Sequence, residues 1–243
     1  MANFIYSQVT IEPEEAMDKI CDMIENMQSV EYGKETTEIV KTFYTDEEIR
    51  APYNGGETEY PITGEGVRHG WLYDNVGTKW ITVGVDGEIR IESPSYIPDG
   101  FLIKLYSLCV NDFKDVRLTC KWYEETETSC GTAVIWNGIY TEDEEYLDDD
   151  GMYDPAYEPS GDEDIEDVKE WLLEQVNEDS YIKPEEIEEM DEERLRELFE
   201  DWKRQGKWDY ISEAQERMFY SCEEAIETED FEFPISKVKR IAN

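Results

Sequence analysis

The stretch at residues 71–140 limits what this chain can fold into more than any other. It is the most apolar and β-prone part of the sequence, cut into short segments by turn signals. It opens with Trp71-Leu-Tyr-Asp-Asn-Val-Gly-Thr-Lys-Trp80. Residues 80–85 then read as a strand, Asp86-Gly87 as a tight turn, and 88–93 as the return strand. Ile89 and Ile91 share one face of that strand, with Glu88, Arg90 and Glu92 on the other. From Pro98 or Asp99 the apolar spacing becomes helical: Phe101, Leu102, Leu105, Leu108, Cys109 and Phe113. Residues 116–123 form the next strand, and an acidic turn at 124–127 leads to a last strand, read without a break from 131 to 140.

The N-terminus supplies two more elements. Residues 3–11 alternate as a strand. Pro13-Glu14-Glu15 opens a helix with Met17, Ile20, Cys21, Ile24 and Met27 along one face. Residues 36–44 fit a strand or a short helix, and 51–70 are rich in Gly and Pro and read as loop. The order strand–helix–strand–strand–helix–strand–strand predicts an α+β fold: a ferredoxin-like antiparallel sheet with two helices on one face and the other face partly open.

At Thr141 the composition turns strongly acidic. Glu142, Asp143, Glu144 and Glu145, then Asp148, Asp149 and Asp150, bracket Tyr146-Leu147 and read as a solvated loop or linker. Ser160 and Glu163 suit a capping box for a helix over 162–177. A short helix is expected at Lys183-Pro184. A third follows Met190-Asp191 with Leu195, Leu198, Phe199 and Trp202 as its stripe, punctuated by Gly206, and a fourth begins at Ser212. The expected domains are therefore 1–140, a linker at 141–161, and an acidic helical region at 162–243. A basic tail, Lys237-Val-Lys-Arg240, is expected to pair with the acidic helices.

Charge decides which partners are admissible. The chain carries 62 acids and 22 bases, a formal net charge of −40. Residues 141–243 hold 37 acids and 11 bases, against 25 and 11 in residues 1–140. A direct nucleic-acid binder is excluded, because phosphate contacts need Lys and Arg. Basic surfaces or divalent cations are the natural partners. Seven Trp and sixteen Tyr argue against wholesale disorder. Five scattered cysteines without CxxC spacing, and no signal peptide, predict reduced thiols in a cytoplasm. No run reaches transmembrane length. His69 is the only histidine, so the usual general base of acid–base and triad schemes has no second candidate. No catalytic residue, cofactor or metal site is expected, and the Asp148-Asp149-Asp150-Gly151 run does not fit an EF-hand.

Residues 1–140 resemble the YubB-like ferredoxin-fold domain of plasmids and phages. The motifs concerned are Trp71…Asn75-Val76-Gly77-Thr78-Lys79-Trp80, Ser93-Pro94, Lys121-Trp122-Tyr123-Glu124-Glu125 and Cys130-Gly131-Thr132-Ala133-Val134. The resemblance implies a mobile-element origin and the same fold, and brings no enzymatic activity with it. The expected function is a non-enzymatic accessory protein that binds and inhibits a host protein, such as a defence system, through acidic surface that imitates DNA. Its contacts are expected at Glu142, Asp143, Glu144, Glu145, Asp148, Asp149 and Asp150, and at Glu185, Glu186, Glu188, Glu189, Asp191, Glu192 and Glu193. Trp71, Thr78, Lys79 and Trp80 are secondary interface candidates. The alternative is an oligomeric scaffold that uses the open sheet face and edge strands, where Trp and Tyr favour interface hot spots.

Overall fold

A computed structural model describes residues 3–27, 36–53, 60–64, 66–126, 128–146, 164–176, 182–231 and 234–241. The elements in chain order are β1 (Phe4–Glu12), α1 (Glu14–Glu25), α2 (Thr36–Phe43), α3 (Asp46–Arg50), β2 (Ile62–Thr63), β3 (Gly66–Val67), α4 (His69–Asn75), β4 (Thr82–Asp86), β5 (Glu88–Pro94), α5 (Asp99–Val110), β6 (Arg117–Glu124), β7 (Ser129–Trp136), β8 (Ile139–Tyr146), α6 (Ile165–Gln175), α7 (Pro184–Glu188), α8 (Glu192–Thr228) and β9 (Lys237–Arg240). They form two compact units. One comprises residues 1–146 with 214–243, and the other residues 147–213.

The first unit is α+β, built on a seven-stranded antiparallel sheet in the order β4-β5-β1-β6-β7-β8-β9. Register fixes what each face carries, because side chains alternate along a strand. Val9 lies opposite Ile89 and Cys120, Cys120 opposite Ala133, and Ala133 opposite Glu142. That face packs against α1, through Ala16, Ile20 and Ile24, and against α5, through Phe101, Leu102, Leu105 and Cys109. Lys19 of α1 donates to the Leu108 carbonyl of α5 at 2.6 Å, which ties the two helices together. The ambiguous residues 36–44 are helical as α2, and Phe43 meets Phe101 edge-on at 5.2 Å.

The other face is not left open over β7 and β8. Cys222 and Ile226 of α8 pack on Val134 and Ile139. Thr132 Oγ1 donates to the Gln215 carbonyl at 2.9 Å, and Gln215 Nε2 donates to the Trp122 carbonyl at 2.9 Å. Over β1 and β5 that face stays polar, with Gln8, Thr10, Arg90 and Glu92 exposed. Two helices on one face is therefore an incomplete description, and the open sheet face expected for a scaffold is partly occupied by the protein itself.

Two strand readings change. The expected strand at 131–140 is broken at Asn137-Gly138, whose φ values of 51° and 75° make a tight hairpin turn. The chain returns as β8, so residues 141–146, expected in a linker, belong to a strand of the sheet, paired with β7 on one side and β9 on the other. Among the helices, α8 runs through Gly206 without a break. A lone glycine costs only about 1 kcal/mol in a helix, and flanking helix formers absorb it.

The second unit has its own small core of Val168, Leu172, Ile187, Leu195, Leu198 and Phe199, with Trp171 edge-on to Phe199 at 5.1 Å. Its first helix is capped by Asp164, whose side chain accepts from the Glu166 N–H at 3.3 Å. The expected cap at Ser160 lies outside the described residues.

Candidate functional site

The Asn75-to-Trp80 motif acts as a clamp on the start of α5. Val76 accepts from the Phe101 N–H at 3.2 Å. Gly77 has a φ of +94°, and a Cβ there would lie 2.5 Å from Asp99 Oδ1. A Cβ on Gly100 would lie 2.5 Å from the Asn75 carbonyl oxygen. The turn and the helix start thus touch backbone to backbone, which only glycine permits. Thr78 is fully buried and donates to the Pro94 carbonyl at 3.1 Å.

This clamp sets Asp99, the first residue of α5, over the far strands of the sheet. Register brings the rest. Tyr140 and Glu142 share the α5-facing side of β8, and their cross-strand partners on β9 are Lys239 and Lys237. Asp99 forms salt bridges with both lysines, at 2.6 Å from Lys239 Nζ, and Lys237 Nζ also lies 3.7 Å from Glu142. The Tyr140 hydroxyl donates to Glu142 at 2.5 Å. Both ammonium groups sit about 6 Å above the Tyr140 ring. Asp99, Tyr140 and Glu142 are buried.

The charges settle accordingly. Burial on its own raises the Asp99 carboxyl, but hydrogen bonds from Lys237 and Lys239 outweigh it and hold the group below its ordinary value. Burial raises Glu142, and the Tyr140 hydroxyl and the Lys237 charge offset only part of that. Burial and the adjacent Glu142 push the Tyr140 phenol up. Burial also works to lower the Lys237 ammonium, but the bond to Asp99 and the charge of Glu142 raise it. The cluster holds ammonium and carboxylate as a stable pair, which staples the C-terminal strand to the sheet.

Asp143, the next residue, points the opposite way, under α8. Its burial lifts the carboxyl to about 6, against a partial offset from the Glu144 backbone N–H, and nearby Glu145 and Glu144 push in the same direction as burial. Two adjacent acids read as solvated linker are thus buried on opposite faces of one strand.

A cavity of about 510 Å³ opens beside the staple. Its lining includes Asp99, Glu142, Glu144, Glu124, Trp122 and Lys237, with Tyr96 and Tyr146 also part of the wall.

The expected contact residues divide by location. Glu142 and Asp143 are buried, so neither is a surface contact. Glu144 is exposed and Glu145 half-buried. Asp148, Asp149 and Asp150 lie outside the described residues. Glu185, Glu186, Glu188, Glu189, Asp191, Glu192 and Glu193 are all exposed, on α7, the turn after it and the start of α8. Glu188 pairs with Lys169 at 3.0 Å and Glu192 with Arg196 at 3.0 Å. Of the secondary candidates, Trp71 is fully buried with Tyr44 edge-on at 5.1 Å, and Thr78 is fully buried, so both belong to the core. Lys79 is exposed, and Trp80 is half-buried against Phe4 at 5.7 Å.

His69 is exposed at the start of α4, and no group of three or more metal-ligating side chains occurs among the described residues. The five cysteines are free thiols, four of them buried. Among the described residues no helix is long and apolar enough to cross a membrane. Asp99, Tyr140, Trp122, Lys237 and Lys239 did not stand out as a constellation in the sequence. The available signal was period-two spacing in two places, Tyr140-x-Glu142 and Lys237-x-Lys239. No family model, curated protein or solved structure matches the chain.

Proposed function

We infer that the chain is a non-enzymatic accessory protein of a phage or plasmid, which binds and inhibits a host protein through carboxylate-rich surface. The observation that carries this reading is the run at residues 185–193. All seven of its acids are exposed, on α7, the start of α8 and the short turn between them, and both helices contribute to the apolar core of the second unit. A solvated face needs no such density. A dense row of fixed carboxylates offers a basic surface what DNA offers it, about one negative charge per ~1.7 Å of axis. The partner is a host protein with a basic or nucleic-acid-binding surface, of which a defence system is the expected class. The chain binds no nucleic acid itself, uses no cofactor, and acts in the host cytoplasm.

Within the sheet, β4-β5-β1-β6 with α1 and α5 makes a ferredoxin-like kernel, extended by β7, β8 and β9.

The test is capture of partners from host lysate by the intact chain and by a variant with Glu185, Glu186, Glu189 and Glu193 changed to Lys. A partner held by the intact chain, released by added DNA and lost with the variant, supports the reading. A partner held equally by both removes it. A second reading, an oligomeric scaffold, draws on β4, which among the described residues pairs with β5 alone and so stands at an edge of the sheet. A pure monomer by solution mass measurement counts against it.

A further inference from the structure

We propose that β9 is a latch on the edge of the sheet: it opens as one unit while the other strands stay paired, and its closure hides the edge of β8. The device lies within the sheet unit and does not depend on the carboxylates of α7 and α8.

Burial is lopsided across this pair of strands. Ile139, Tyr140, Thr141, Glu142 and Asp143 of β8 are all buried. No residue of 234–241 is buried, and half-burial there is confined to Ile235, Lys237 and Ile241. Val238, the apolar residue inside β9, is 36% exposed. The strand is therefore a cover that adds little to the core, and segments with few buried apolar contacts open at a lower free energy than the whole fold. The opposite edge of the sheet is built differently. There β4 sends Val83 into the core, directly after buried Ile81.

What holds β9 is polar. Among the described residues it pairs with β8 alone. The Ser236 N–H donates to the Glu142 carbonyl at 2.8 Å, and the Ile241 N–H donates to the Gly138 carbonyl at 2.8 Å, so backbone closure reaches both ends of the strand. Between those ends, Lys237 and Lys239 both pair with the carboxylate of Asp99, whose residue is buried at the start of α5. The two lysine side chains stay 40% and 42% exposed, so each pair has one partner in water and holds less firmly than a buried pair. Because both lysines share one anchor, loss of that anchor frees them together. This makes opening a property of the strand rather than of its tip.

The chain turns back from α8 at Glu229, whose φ is +54°. A side chain with a Cβ adopts that left-handed conformation at a cost, and glycine is the usual residue just past a helix end. Arg240 returns to pair with Glu229 at 2.8 Å. The turn thus works toward release, and the pairs to Asp99 and Glu229 work against it. Opening leaves β8 with unpaired backbone groups along one edge, beside the carboxylates of Asp99 and Glu142. Such an edge can accept a strand from another chain.

The test is amide hydrogen exchange of the full ¹⁵N-labelled chain by NMR at neutral pH, comparing Ser236, Lys239 and Ile241 with the amides of β1 and β6. The three latch amides should report one common opening constant, larger than that of β1 and β6 by about a hundredfold. Asp99→Asn should raise opening about tenfold at all three and leave β1 and β6 unchanged. Lys239→Gln, at an exposed side chain, should raise it less, and it serves should Asp99→Asn not fold. Arg90→Gln, which removes an exposed pair with Asp86 on the far strands, should leave β9 unchanged. Latch amides that exchange no faster than those of β1 overturn the local opening. Rates graded from one end of the strand, or unmoved in both the Asp99 and the Lys239 variants, overturn the single anchor. An equal rise at β1 and β6 overturns the latch in favour of general destabilisation.

Discussion

Asp143→Asn should make the protein more stable at neutral pH, although it alters a fully enclosed position. In the folded chain Asp143 is 4% exposed beneath α8, and its carboxyl is raised from 3.8 to about 6. A folded-state value above the unfolded one means the fold binds that proton more tightly. The group is therefore least costly in acid, and stability is lost as pH rises from about 4 to about 6. Each pKa unit corresponds to ~1.4 kcal/mol, so the ionised carboxylate costs the fold up to about 3 kcal/mol at pH 7. Asparagine keeps the shape and an acceptor for the Glu144 backbone N–H, and carries no charge to desolvate. Urea unfolding followed by tryptophan fluorescence should show Asp143→Asn gaining about 1–3 kcal/mol over the natural chain at pH 7.5. The gain should shrink toward zero near pH 4. A variant less stable at pH 7.5, or one whose gain is the same at both pH values, would falsify the burial argument.

Other perturbations probe the same region. Gly131→Ala places a methyl 2.5 Å from the Trp122 ring and 2.7 Å from the Asp143 carbonyl oxygen, so it should destabilise the unit severely in the same unfolding assay. Lys237→Met/Lys239→Met leaves Asp99 buried without its ammonium partners and should cost about 3 kcal/mol or less at pH 7, since both lysines are partly exposed. The sign of its pH dependence is opposite to that of Asp143. Asp99 is held below its ordinary value, so its contribution is present above the unfolded pKa and fades as pH falls through the folded one. The penalty in the lysine variant should therefore diminish in acid.

Much of the sheet unit was legible in the sequence, because its signals are local. Alternation in β1 and β5, the apolar stripes of α1 and α5, and the Asp86-Gly87 turn each declare themselves within a dozen residues. Three features were not legible, each for a physical reason. Thr-Glu-Asp-Glu-Glu-Tyr reads as solvated by composition, yet β8 is paired on both sides, and its acids are neutralised by lysines almost a hundred residues later or desolvated under a helix. The hairpin at Asn137-Gly138 carried a strong local signal that was outweighed by the apolar run around it. The second helical layer depends on the distant contact of Cys222 and Ile226 with Val134 and Ile139, which no local window contains. The same logic moved Trp71 and Thr78 from candidate interface to core. A distinctive motif can hold a fold together as readily as it can meet a partner, and here Gly77 and Gly100 show which: they allow the motif to lock the start of α5.

We propose that the exposed carboxylates at residues 185–193 hold a basic host partner. Its most direct test is the affinity of the captured partner for the intact chain, measured from low to physiological salt and beside the Glu185, Glu186, Glu189 and Glu193 lysine variant. Affinity should fall by about tenfold or more over that salt range, DNA should compete, and the variant should not bind. An affinity indifferent to salt, or equal in the variant, contradicts it.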